Sequence, residues 1–182
     1  MYKWIGCLML LILPILSGCV DSASYKDDDI AAIVRGEEIA VGDLRILYTD
    51  NVIAEMVDEL VKAKLAEQEV KKMNIDVSEY IEEAEGSFAE YPEGEINNAE
   101  EQSIHTFAEA QAKELGMDPR EYYKKYTETS IEMAAYVNAY TSEVLGDLED
   151  DEYGIEEYVH HANELLDNLV EQNKDDIQIL IE

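Results

Sequence analysis

The stretch Ile30-Ala31-Ala32-Ile33-Val34-Arg35-Gly36-Glu37-Glu38-Ile39-Ala40-Val41 decides the fold. Two segments rich in β-branched residues flank a Gly-containing turn, the pattern of a small β-hairpin. A two-stranded hairpin is marginal by itself, so a further element must cover it. That element is expected at the far end of the chain, where Ile177-Gln178-Ile179-Leu180-Ile181 alternates and is β-branched enough to be a third strand. The prediction is a mainly α-helical domain over residues 30–182, with a small β-sheet formed by the N-terminal hairpin and a C-terminal strand.

Between the two ends the sequence reads as helix. Asp43 can cap a short helix through Tyr48, and Asp50 or Asn51 can start a long one running to about Met73. On the long helix Ile53, Met56, Val57, Leu60, Val61, Leu65 and Val70 form an apolar face wide enough to need more than one packing neighbour. Ser78 is expected to cap the next helix, which carries Tyr80, Ile81, Ala84 and Phe88 before Tyr91-Pro92-Glu93-Gly94 breaks it. A further helix spans about Ala99 to Leu115 and ends on Gly116 as a left-handed cap. Asp118-Pro119-Arg120-Glu121 is a helix start with Asp as N-cap, Pro at the first helical position and Glu at the third. The last helix covers residues 155–170, with Tyr158, Val159, Ala162, Leu165, Leu166 and Leu169 inward.

The N-terminus carries a different kind of signal. Lys3 is followed by the apolar run 4–16 and then by Leu16-Ser17-Gly18-Cys19, which resembles the lipobox of bacterial lipoprotein precursors. The resemblance implies a signal peptide over residues 1–18, cleavage between Gly18 and Cys19, and lipidation of Cys19 by acyl chains such as palmitate. The apolar run is shorter than the roughly 20 residues of a spanning helix, which makes an uncleaved anchor the weaker reading beside it. Residues 19–29, polar and without periodicity, are expected to form a tether between lipid and domain. The cysteines are Cys7 and Cys19; the first would leave with the signal and the second would be a thioether, so no disulfide framework is expected. The implied location is the outer, extracytoplasmic face of the bacterial cell membrane.

Charge narrows the partners. The chain has 43 acidic and 13 basic residues, a formal net charge of -30, and loss of residues 1–18 would remove one cation and no anion. Such a field repels nucleic acid and anionic lipid headgroups. High negative charge also keeps an exported protein soluble, so it excludes partners without naming one.

The hairpin Ala32 to Ile39, the start Asp43-Leu44 and the run from Leu60 to Ser78, with Gln68-Glu69 and the exit Ile75-Asp76-Val77-Ser78, resemble the chaperone module of the SurA/PrsA family of extracytoplasmic foldases. The clearer likeness covers residues 31–80, with a fainter one at 155–181. Two positions depart from the family pattern: Arg35 stands where the hairpin usually has Asn, and Asn74 where the helix usually ends in Gly. Asn tolerates the left-handed conformation, and Arg is less suited to it. Isomerase members of the family carry an inserted parvulin-type domain, for which this chain has no room. The resemblance therefore implies a lipoprotein that binds unfolded or folding exported polypeptides as a holdase, without prolyl isomerase activity. A protein of another class, an envelope assembly adapter with one defined protein partner, stands as the alternative.

Other residues bear on chemistry. Glu157-Tyr158-Val159-His160 has the spacing used in carboxylate-bridged di-metal bundles, and His161 and Glu164 are adjacent. No second such pair accompanies it, since Glu101 precedes His105 by four residues rather than three, and no metal site is expected. The acidic run 147–152 lacks the spaced ligands and glycine of an EF-hand, which leaves weak calcium association as its most. No catalytic motif and no cofactor-binding pattern is present, so no enzyme is expected. Tyrosine combines apolar area with a polar tip at little entropic cost. Tyr122, Tyr126, Tyr136 and Tyr140 fall at helical spacing and are either core or client-binding surface; Tyr123, just off that stripe, is expected to be exposed, and Tyr91 to rim a groove.

Overall fold

A computed structural model describes residues 25–146 and 154–181. Gly18 and Cys19, most of the expected tether and the acidic run 147–152 lie outside the described residues. Within them the chain forms six α-helices and a three-stranded antiparallel sheet.

Strands β1 (Ile30–Val34) and β2 (Glu37–Ala40) make the hairpin, and β3 (Ile177–Ile179) joins the other edge of β1, giving the order β2-β1-β3. Val34 pairs with Glu37 on one side and with Ile177 on the other. The first and last strands of the domain therefore meet, as the alternation at 177–181 predicts. Arg35 and Gly36 both have positive φ, 50° and 85°, the signature of a two-residue type I′ turn. The left-handed conformation that Arg tolerates poorly is compensated by what Arg35 holds. Its backbone N–H donates to Asp176 O at 2.8 Å. Its guanidinium donates to Asn173 Oδ1 at 2.9 and 2.7 Å and pairs with Glu69 Oε1 at 2.7 Å. One side chain thus ties the hairpin turn to the long helix and to the C-terminal end.

Helix α1 (Val41–Leu47) leads into the long helix α2 (Ile53–Met73), followed by α3 (Ser78–Glu85), α4 (Ala99–Leu115), α5 (Pro119–Leu145) and α6 (Ile155–Gln172). Three helix ends follow local rules as expected. Asn74 and Gly116 take left-handed φ of 57° and 65°, and Asp118 Oδ1 accepts the N–H groups of Arg120 and Glu121.

Other ends differ from expectation. Asp43 is not the N-cap of α1: it lies at the third helical position and its carboxylate accepts the Ala40 N–H at 3.1 Å. Asp50 does not cap α2, because Arg45 takes its carboxylate in a two-armed contact at 2.8 and 2.9 Å. Asn51 accepts from Thr49 instead, and α2 begins at Ile53 without a side-chain cap. Ser78 does not cap α3: it is the first helical residue, its N–H and hydroxyl both donate to Asp76, and the helix ends at Glu85, before Phe88.

The main core is aliphatic. Val34, Val41, Leu44, Ile53, Val61, Leu65 and Val70 are almost wholly buried, and Leu166, Leu169 and Ile181 close it from the C-terminal side. Gln68 and Glu69, neighbours on α2, both reach the hairpin: Gln68 Nε2 donates to Val34 O at 3.1 Å, beside the ion pair to Arg35. On α6 Val159 is half exposed rather than inward; it lies about 100° round the helix from Tyr158, which is buried and donates its hydroxyl to Gly146 O. A second, aromatic core joins α4 to the first turns of α5: Ala108, Ala112, Tyr122 and Tyr123, flanked by Tyr91, Phe107 and Tyr126.

Residues 25–29, expected to belong to the tether, are docked on α1. Val41 N–H donates to Asp29 O, Gly42 N–H donates to Asp27 O, and Arg45 reaches both Asp27 and Tyr25 O. Gly42 eases this approach, since a Cβ there would lie 3.1 Å from Asp27 O and the segment would have to give by a fraction of an ångström.

Candidate functional site: a cleft with an acidic rim

The strand β2 and the helices α1, α2 and α5 leave between them a solvent-open cleft of about 360 Å³. Leu60, Ala63, Lys64 and Glu67 line it from α2, and Thr129, Glu132, Met133 and Tyr136 line it from α5. Both sets fall at positions i, i+3, i+4 and i+7, one face of each helix. Ile39 of β2 and Ile46 and Leu47 of α1 complete an apolar floor, and Glu38 and Asp43 stand on the rim.

The charges on this rim do not cancel. Lys64 Nζ is engaged by Glu37 at 2.9 Å and Glu67 at 3.1 Å. Burial pushes the Lys64 ammonium down, but the hydrogen bonds to those carboxylates outweigh it and leave it above the usual lysine value. Lys64 in turn holds the Glu37 carboxyl below its ordinary range. Lys71 pairs with Glu67 and lies 5.4 Å from the centre of the Tyr136 ring. No described cation pairs with Glu38, Asp43 or Glu132. The cleft is therefore apolar within and net negative at its mouth.

Of the tyrosines singled out by sequence, only Tyr136 lines this cleft. Tyr122 is almost fully buried and donates its hydroxyl to Ile46 O at 3.0 Å; burial pushes its phenol up to about 12. Tyr140 is buried in the aliphatic core, and Tyr126 packs its ring on Phe107 with centroids 5.0 Å apart. Tyr123, expected to be exposed, is 7% exposed, with its hydroxyl donated to Ala89 O at 3.0 Å. It is held there by the loop after α3, an interaction of high sequence separation that helical spacing does not report. Tyr91 stacks on His105 and, with Phe88 and Tyr123, lines a shallower groove of about 270 Å³. That groove is lined by Glu85 and Glu90 and by Arg120 and Lys124, whose own partners are Glu93 and Glu128.

His105 on α4 approaches Glu109 at 3.4 Å, while His160 and His161 are neighbours on α6, their ring centres 6.0 Å apart, and His160 approaches Glu164 at 3.5 Å. Among the described residues no three His, Cys, Asp or Glu side chains converge as a metal site, and no helix is long and apolar enough to cross a membrane. Comparison with protein-family models, with curated proteins and with solved structures finds no match. Of the cleft residues, Leu47 and Thr129 carry no sequence signal of their own, Ile39 reads only as a hairpin residue and Met133 only as part of the apolar stripe of α5. The one signal of the cleft itself is the breadth of the apolar face on α2, more than a single neighbour can cover.

Proposed function

We propose that this chain is a lipid-anchored extracytoplasmic holdase that binds unfolded or folding exported polypeptides and lacks prolyl isomerase activity. The observation that carries the reading is the open cleft walled by β2, α1, α2 and α5, which offers apolar surface to a chain passing over it without a converging catalytic set. The pairing of the domain's first and last strands in one sheet, and the reach of Gln68 and Glu69 to the hairpin, agree with the resemblance to the SurA/PrsA chaperone module. The Leu16-Ser17-Gly18-Cys19 stretch supplies the anchor: lipidation at Cys19 would hold a weak binder at high local concentration where exported chains emerge. A single acyl chain binds reversibly, so firm retention needs more than one.

The test is suppression of aggregation. Equimolar purified protein is expected to keep several unfolded exported proteins in solution, and failure with all of them would sink the proposal. A prolyl-peptide isomerisation assay is expected to read background. One bounded cleft, rather than a broad apolar face, favours a second reading, an envelope assembly adapter with a single partner. Crosslinking in intact cells separates the two: a broad distribution of adducts belongs to the holdase, one dominant adduct to the adapter.

A further inference from the structure

We infer that the cleft selects cationic amphipathic stretches of polypeptide: an apolar side chain seated among Leu47, Met133 and Tyr136, with a lysine or arginine beside it answering Glu38, Asp43 and Glu132. The inference rests on the chaperone-like reading above and narrows its client class. Three observations carry it. Each of the four walls contributes apolar side chains, with Ile39, Ile46, Leu60 and Ala63 lining the cleft alongside the three named residues. The cations nearest the cleft, Lys64 and Lys71, already serve Glu37 and Glu67. The remaining rim carboxylates lack a described cation, so a bound cation would complete pairs rather than displace existing ones.

The chemistry of Lys and Arg suits such a site. Their aliphatic stems lie along apolar surface while the charged head stays at the wet rim, here over Leu47 or Tyr136 with the head toward Glu132. An acidic or phosphate-bearing ligand would meet net repulsion at the mouth, where Lys64 and Lys71 are already engaged, and a neutral apolar peptide would gain the floor alone. The shallower groove beside Phe88 and Tyr91 carries two cations, Arg120 and Lys124, in its own lining, where they would repel a bound cation. Because the whole chain is strongly acidic, the test must separate local complementarity from general attraction.

Fluorescence anisotropy of the full chain in zwitterionic lipid nanodiscs, with empty discs as blank, makes that separation. The probe is a short labelled peptide of alternating lysine and leucine, compared with versions carrying glutamate for lysine and serine for leucine. The double variant Glu38→Gln/Glu132→Gln removes rim charge, and Glu82→Gln/Glu83→Gln removes the same charge from exposed positions on α3. The rim variant is expected to bind the lysine–leucine peptide about tenfold more weakly, and the α3 variant within about twofold of the parent. The glutamate and serine peptides are expected to bind weakly to all three proteins. Equal losses in the two variants, or equal binding of the leucine and serine peptides, would overturn the inference. Circular dichroism confirms that each variant is folded. If the parent binds the peptide at the rim yet holds no aggregating client, the holdase reading fails and the cleft assignment stands. If the protein holds clients and the rim variant binds the peptide like the parent, the reverse is true.

Discussion

The two hydrophobic clusters of this domain are built on different principles. In the first, aliphatic residues from opposite ends of the chain close on α2: Val34 and Leu44 from the N-terminal side, Leu166, Leu169 and Ile181 from the C-terminal side. Its polar connections are charged, with Arg35 joining Glu69 and Asn173. In the second, two alanines on α4, Ala108 and Ala112, make room for tyrosine rings from α5. Its polar connections are neutral phenols donated to backbone carbonyls, Tyr122 to Ile46 and Tyr123 to Ala89. The contrast extends to the surface, where the lining of the cleft beside the aliphatic cluster is net negative and that of the groove beside the aromatic cluster holds two acidic and two basic residues. Volume and charge organise one half, ring packing and hydroxyl placement the other.

Truncation within each cluster should have the largest effects. Tyr122→Ala removes a buried ring and its hydrogen bond and is expected to cost about 3–5 kcal/mol by chemical denaturation, with Leu65→Ala in the aliphatic cluster at about 2–5 kcal/mol. Tyr122→Phe keeps the ring and loses only the bond to Ile46 O, at about 1 kcal/mol. If Tyr122→Ala and Tyr122→Phe cost the same, the ring packing assigned to the second cluster is wrong.

The charged connection of the first cluster should give an intermediate, pH-dependent effect. Burial pushes the Glu69 carboxyl up, but hydrogen bonds from Arg35 and Lys72 outweigh it and hold it below the usual carboxylate range. A lowered folded-state value means that the stabilisation is complete above the unfolded value of about 4.3 and is lost as pH falls through the folded one. Arg35→Ala is expected to cost about 1.5–3 kcal/mol at neutral pH, and the gap to the parent should narrow below pH of about 4. A gap that stays constant into acid would show that Arg35 acts through Asn173 and the turn alone.

These clusters also explain which parts of the molecule sequence reveals. Helix ends governed by one residue's backbone preference, such as Asn74, Gly116 and Asp118, can be read directly, and so can the period-two alternation that makes β3. Asp50 cannot be read as it behaves, because Arg45 competes for its carboxylate across the first turn of tertiary structure. Tyr123 has the spacing of an exposed residue and is buried by a loop more than thirty residues earlier in the chain. The cleft needs four elements together, and its lining residues carry no motif, so only the width of the α2 face hints at it.

The smallest effect is expected where residues 25–29 meet α1. In Gly42→Ala the new Cβ crowds Asp27, while alanine favours the helix by about 1 kcal/mol, so global stability should hardly change. Hydrogen exchange at residue 42, whose amide donates to Asp27 O at 3.0 Å, should instead quicken by about tenfold as the segment loosens. Unchanged exchange would mean that the segment adapts without releasing α1.

The most direct measurement of the central claim, that the acidic-rimmed cleft is where polypeptide binds, is an amide chemical-shift map of the protein titrated with an unfolded exported client. The largest shifts are expected at Ile39, Leu47, Glu132, Met133 and Tyr136. Shifts confined to Phe88, Tyr91 and Tyr123 beside the aromatic cluster, or no shifts at saturating client, would contradict it.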